Sequence, residues 1–295
     1  MKHPNFFIIG APKCGTSAVA KWLAEHSEVY MSPVKEPHYY NFDISSPFKT
    51  LDEYLALFEN AGKQHKAVGE ASVRYLYSRA ASNIMRDNPD ALFVVMLRNP
   101  VDMAPALHEQ RWFTLIDNIK DFRKAWRLQE KRKMGMHIPA MCRDAELLQY
   151  GSWCKLGEQV FDLLQVVPRD NCHFIYLDDL KKSPQKEWTS LLKFLGVSDD
   201  NRNTFFVENA AKTQRFRFIV IIFQKLGILK RSVFGKRFRI GLTKWTKRIL
   251  RKERRRPTLD LEMEAELERY FREDIDLLGE VTGRDLSNWF RLNNS

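Results

Sequence analysis

Short, wholly apolar runs alternate with stretches of helical spacing along the first two hundred residues. Phe6–Ile9, Leu92–Leu97 (Leu-Phe-Val-Val-Met-Leu) and His173–Leu177 carry almost nothing polar. Runs this short and this continuous predict strands buried on both faces, as in a parallel sheet. Val29–Met31 and Ala67–Gly69 predict two briefer strands, the second ending at Glu70. Between the runs the period changes. Val19, Trp22 and Leu23 predict a helix over Thr16–His26, and Leu51, Tyr54, Leu55 and Phe58 one over Leu51–Glu59. Trp188, Leu191, Leu192 and Leu195 predict a helix over Pro184–Leu195, and Leu259–Leu278 reads as a last amphipathic one. Pro100, directly after Arg98-Asn99, suits a helix start.

Strand and helix in alternation predict an α/β fold: a P-loop-like parallel β-sheet flanked by helices, with right-handed crossovers. Such sheets bind ligands outside the carboxyl edge of their strands. The loop holding Lys13, the turn holding Lys35 and Glu36, and Arg98 each follow a predicted strand. If those strands adjoin, three distant parts of the chain meet in one cleft.

The first of these is the most informative. Asn5–Ser17 runs from an apolar strand into Gly-Ala-Pro-Lys-Cys-Gly-Thr-Ser. The nucleoside-triphosphate loop G-x-x-x-x-G-K-[ST] places lysine after its second glycine. Here Gly10 and Gly15 keep the spacing and Ser17 keeps the hydroxyl, but Thr16 stands in the lysine position and Lys13 lies mid-loop. Backbone N–H groups at a helix start still suit a phosphate. The displaced cation points to a different activated phosphate-like group. Asp178-Asp179, after the third strong strand, have the position of a magnesium-binding acid pair, and fit equally a loop and helix cap before Ser183-Pro184. His38 and His108 read first as local hydrogen-bonding residues.

Composition adds two points. A hydrophobic share of 44% and a charged share of 29% describe an ordinary soluble chain. The net charge of +11 is concentrated: Lys212–Arg256 holds 17 Lys/Arg against Glu253 alone, leaving the remainder at −5. Apolar residues such as Phe216, Ile221, Phe234 and Trp245 are interleaved there, unlike a disordered tail. Cys14, Cys142, Cys154 and Cys172 form no C-x-x-C pair and are expected to be reduced thiols of a cytoplasmic protein. Phe6–Ile9 is too short for a secretory leader, and no apolar run has the length of a membrane span. The expected organisation is a single domain over 1–295, with a basic apolar-rich insertion or lid at about 212–256 and a closing helical region over 257–295.

Six stretches taken in order resemble the sulfotransferase family that uses 3′-phosphoadenosine 5′-phosphosulfate (PAPS), in particular bacterial members related to Golgi carbohydrate sulfotransferases. They are Ile9–Ser17, Met31–Tyr40, Gly69–Ser72, Leu97–Asp102, Tyr176–Leu180 and Leu278–Trp289. The resemblance implies the sulfotransferase fold and transfer of a sulfuryl group from PAPS to a hydroxyl acceptor. It implies that Lys13 offsets charge on the departing phosphate, and that Glu36 is the general base. His38 becomes a third catalytic candidate. Pro12, Lys13, Cys14, Gly15, Thr16 and Ser17 would hold the 5′-phosphosulfate, and Arg98 the 3′-phosphate. A late basic loop folds over the nucleotide in relatives, which nominates Arg215 and Arg217. No metal is required by this scheme, and no nucleic-acid partner is expected.

The sequence departs from the family in two places. Ala106 stands where a serine usually shares the 3′-phosphate, a lost contact worth on the order of 1 kcal/mol. Ala71 stands where carbohydrate members often carry lysine. Two other readings stay open: a magnesium-dependent P-loop phosphotransferase using Asp178 or Asp179, and a non-catalytic nucleotide-binding module. The basic segment suits an anionic membrane surface, an acidic polysaccharide, or a lid with a solvated face. Residues 117–150, with Trp126, His137 and Tyr150, are expected to line the acceptor side.

Overall fold

A computed structural model describes residues 2–41, 46–206, 212–214, 251–253 and 259–290. These form two compact units. The larger comprises residues 1–107, 150–208 and 260–295, the smaller 108–149 and 209–259. Five strands make the sheet of the larger unit: β1 (Phe6–Gly10), β2 (Val29–Met31), β3 (Ala67–Ala71), β4 (Leu92–Leu97) and β5 (Cys172–Tyr176). Their spatial order is β2-β3-β1-β4-β5, and every pairing is parallel. Phe6 lies beside Gly69 on one flank and Leu92 on the other, so β1 is central. All five residues of β1 and of β3 are buried, as the unbroken apolar runs require.

The helices of this unit include α1 (Thr16–Ala24), α2 (Leu51–Leu55, continued as a 3₁₀ turn through Phe58) and α3 (Ala81–Asp87). Helix α4 spans Pro100–Phe113. In the smaller unit α5 (Phe122–Arg127) and α6 (Gln129–Lys133) follow. The larger unit then resumes with α7 (Tyr150–Cys154), α8 (Leu156–Leu164), α9 (Leu177–Lys182) and α10 (Pro184–Phe194). Its last described helix is Leu261–Thr282, begun by the Asp260 carboxylate on the Met263 N–H and ended at Gly283 with φ 68°. None of the described helices is long and apolar enough to cross a membrane.

The smaller unit has a charged centre. Arg132 donates two hydrogen bonds of 2.8 Å to Asp117, and neither side chain has exposed surface. Removing one partner of such a pair would leave the other charge buried and uncompensated. His108 hydrogen-bonds the Ile119 carbonyl at 2.9 Å and burial lowers its pKa, so it is a local hydrogen-bonding residue as its sequence context suggests. At the two ends of the basic segment, β6 (Lys212–Gln214) pairs antiparallel with β7 (Arg251–Glu253).

The last helix is fastened to α8 by more than apolar contact. Met263, Leu267, Phe271, Ile275 and Leu278 form its buried stripe, and α8 buries Leu156, Val160 and Leu163. Asp274, on the last helix, accepts the N–H groups of Gly157 at 3.0 Å and Glu158 at 2.9 Å. A side chain of one helix thus caps the first turn of another. At Gly157 a Cβ would fall 2.1 Å from the Asp274 carbonyl, so only glycine permits this approach. Asp274→Ala is expected to lower the stability of the larger unit by about 1–2 kcal/mol. A reduced urea midpoint with an unchanged slope checks it; an unchanged midpoint would count against the cap.

Candidate active site

The order of strand connection reverses between the parallel neighbours β1 and β4, since the crossover from β1 leads to one side and that from β4 to the other. A crevice opens at the carboxyl edge of such a pair. Here it is bordered by the loop Ala11–Gly15 and by Arg98.

The loop leads from the buried end of β1 into α1. Gly15, the residue before α1, has φ 92°, and no side chain caps this helix among the described residues. A Cβ on Gly15 would meet Leu177 Cδ1 at 3.1 Å. A nine-residue helix with an uncapped start and its dipole directed outward suits an anion. Lys13 also has positive φ, 67°, a conformation that costs a non-glycine residue about 1 kcal/mol or more. The Arg98 guanidinium donates to the Lys13 carbonyl at 3.2 Å, tying the end of β4 to the middle of the loop. Cys14 is wholly buried, with its thiol near the Pro12 carbonyl (3.4 Å) and Met103 Sδ (3.9 Å). Burial pushes its pKa up to about 12 although Arg98 and Lys13 pull it down. It remains a thiol and fills space.

The segment after β2 supplies the acid. Lys35 Nζ donates to Ser17 Oγ at 2.5 Å and lies 3.8 Å from the Glu36 carboxylate. His38 Nε2 lies 3.6 Å from the other Glu36 oxygen. Glu36 is about one-third exposed, which leaves it accessible to a substrate. His38 Nδ1 is buried without a hydrogen-bond partner among the described residues. Both Glu36 (φ 55°) and His38 (φ 53°) have left-handed backbone. The turn is fixed to the end of β3 by the Ser32 N–H on Gly69 O, the Glu36 N–H on Ala71 O and the His38 N–H on Ser72 Oγ. Lys35 thereby joins the α1 start, through Ser17, to Glu36.

Of the residues singled out from sequence, Pro12–Ser17, Arg98, Glu36 and His38 all lie at the carboxyl edge of this sheet. Ala106 is fully buried in α4 and has no polar side-chain atom to offer. Arg215 and Arg217 lie outside the described residues. Asp178 and Asp179 do not cap by side chain: they lie in the first turn of α9, whose start has no side-chain cap. Asp179 is held by both Arg284 nitrogens, which lower its pKa, and Asp178 by Lys181. That engagement removes the reason to read them as a magnesium pair. Trp126 and Tyr150 are buried, whereas His137 is exposed. Lys35 and Glu70 are the residues that sequence reasoning undervalued. An acid closing a wholly apolar strand was the available signal for Glu70.

A family profile described as the sulfotransferase domain matches residues 3–279. A sulfotransferase crystal structure from Alicyclobacillus acidocaldarius superimposes with a TM-score of 0.70 at 26% identity, covering 98% of this chain and 99% of that one. Carbohydrate sulfotransferase 15 of Mus musculus is 29% identical over 143 residues, 34% of this chain and 26% of the relative. The membrane-associated sulfotransferase kil1 of Dictyostelium discoideum is 26% identical over 100 residues, 34% of this chain and 21% of the relative. The chain therefore spans about a quarter of the length of the curated relatives it matches. With the domain profile covering the sheet, the phosphate loop and the Glu36 turn together, the chain belongs to the sulfotransferase family.

Proposed function

We propose that this chain transfers the sulfuryl group of PAPS to a hydroxyl of an acceptor, with Glu36 as base and Lys13 as the cation at the breaking bond. One observation carries the reading: Lys35 and Ser17 link an uncapped α1 start to an accessible carboxylate on the sheet edge that also carries the mid-loop lysine. The uncapped start fits an anionic group, and Gly15 leaves the backbone there unobstructed by a Cβ. Thr16 and Ser17 add hydroxyls to that cradle. PAPS would supply the activated sulfur.

The remaining work falls to the protein. Glu36 takes the proton of the acceptor hydroxyl as its oxygen bonds to sulfur, and the bond from sulfur to the bridging phosphate oxygen breaks. Lys13 offsets the charge that collects on that oxygen. Lys35 and His38 flank the Glu36 carboxylate and hold its direction. Arg98 receives the 3′-phosphate, with no hydroxyl from Ala106 to assist it. An acceptor of carbohydrate type accords with the likeness to carbohydrate sulfotransferase 15.

Labelled PAPS offered with a panel of monosaccharide, alkyl glucoside and phenolic acceptors tests the activity. Glu36→Gln is expected to lower kcat by about 10²-fold or more with little change in the KM for PAPS. Lys13→Ala is expected to lower kcat by about 10²- to 10³-fold. Normal turnover in both variants would remove the assigned mechanism.

Arg98 is tested by nucleotide binding. Arg98→Ala is expected to weaken 3′-phosphoadenosine 5′-phosphate by about 10- to 100-fold in calorimetry, leaving adenosine 5′-phosphate nearly unchanged. Equal losses for both nucleotides would show that Arg98 supports the loop through the Lys13 carbonyl instead.

A further inference from the structure

Glu70, next to last in β3, has no exposed surface, yet none of the roles above uses it. Three hydroxyls converge on its carboxyl group. Tyr75 OH donates to Oε1 at 2.8 Å and Tyr54 OH to the same oxygen at 3.2 Å, while Ser72 Oγ donates to Oε2 at 2.7 Å. A carboxylate only accepts, so each hydroxyl must turn its single proton toward Glu70 and present lone pairs elsewhere. Two of those hydroxyls receive backbone N–H groups on the far side. The His38 N–H donates to Ser72 Oγ at 3.3 Å, and the Tyr40 N–H to Tyr75 OH at 3.3 Å. His38 and Tyr40 belong to the turn that carries Glu36 at φ 55° and His38 at φ 53°. One buried charge thus orients two relays, and both end on the backbone of the segment that holds the proposed base.

We propose that Glu70 is a positioning residue for sulfuryl transfer, its carboxylate fixing the Glu36–Tyr40 backbone through Ser72 and Tyr75. The inference rests on Glu36 being the base. Protonated Glu70 would carry a donor of its own, and one hydroxyl would have to turn and accept it. That hydroxyl's proton would then compete with the backbone N–H for the same space, and a relay would be lost.

Stability and positioning then depend on pH in opposite senses. Burial raises the Glu70 pKa from 4.5 to about 7, against the downward pull of Ser72, Tyr75, Tyr54 and His38. The facing groups are Tyr54 from α2, His38 and Tyr40 from the segment after β2, and Ser72 and Tyr75 from the segment after β3. The three tyrosines have pKa values raised by burial and stay neutral throughout this range. Because the folded pKa lies above the ordinary one, the contribution of Glu70 to stability is full below about pH 4.5 and is lost as pH rises through about 7. The ionised form needed for both relays is the one that folding disfavours. A carboxyl group serving stability alone would give the same stability profile with no gain in rate or exchange protection as pH rises.

Three readouts test this, two of them independent of any acceptor. In Glu70→Gln, amide hydrogen exchange of the peptide spanning 36–40 is expected to accelerate at least tenfold at pH 8, with β1 and β4 unchanged. Transfer from labelled PAPS to the best acceptor of the panel is expected to fall at least tenfold in kcat, with affinity for 3′-phosphoadenosine 5′-phosphate within twofold. The stability decline of the native protein between about pH 4.5 and 7 is expected to flatten in the variant. Should Glu70→Gln fail to fold, Ser72→Ala and Ser72→Thr carry the test, the first losing rate and protection and the second, which keeps the hydroxyl, retaining both. Unchanged exchange and rate in Glu70→Gln or Ser72→Ala would overturn the proposal. So would losses of rate, nucleotide affinity and stability in one proportion. An active Glu36→Gln would instead remove the base assignment, and is read separately.

Discussion

Parallel pairing on both sides of β1 is the constraint on which the site depends. A strand flanked by β3 and β4, all three running the same way, must end beside both of them at one edge. The loop after β1, the Ser72 segment after β3 and Arg98 after β4 are neighbours for that reason. The turn after β2 joins them by hydrogen-bonding to β3 rather than to its own strand. The proposed cation, helix start and acid are distributed over distant sequence and gathered by strand pairing together with the hydrogen bonds of Lys35, Ser72 and Arg98. The strain at Lys13, Glu36 and His38 is concentrated at this edge, where surrounding hydrogen bonds hold it.

Buried charge is used in two different ways in this chain. Arg132 and Asp117 neutralise one another through two hydrogen bonds of 2.8 Å. Glu70 has no cationic partner within hydrogen-bonding distance among the described residues and is surrounded by neutral hydroxyls. Burial raises the pKa of the second group to about 7. Neutral donors allow a carboxyl group to direct its neighbours while keeping its own charge conditional.

Much of this was legible in the sequence. Apolar runs gave Leu92–Leu97 and Val29–Met31 at their observed limits; in the first, burial on both faces excludes polar residues. Ends were less well defined: the last helix runs on to Thr282, past the last strongly apolar residue, until Gly283 stops it. Leu51–Glu59 tightens into a 3₁₀ turn after Leu55, a change that periodicity does not encode. The phosphate loop, Glu36 and Arg98 were visible because each combines an unusual residue with a strand end. Contacts were not. The Asp179–Arg284 pair spans 105 positions, so local spacing could only suggest a cap or a metal site. Trp126 and Tyr150 have the composition of a binding wall and are packed inside instead. Glu70 was hidden by its position at the end of an apolar strand, where only three-dimensional packing reveals the hydroxyls that receive it.

Cys14 lies between the proposed catalytic lysine and the glycine that opens α1, yet its sulfur is sealed from solvent and its pKa is about 12. Electrophiles and oxidants act on thiolates, which at neutral pH are almost absent here. The loop that carries Lys13 is therefore chemically silent toward such reagents while it is closed. Any alkylation at this position would record the fraction of time that the loop spends displaced from Met103. The same sulfur that contributes only bulk to the folded loop is thus a native gauge of its breathing.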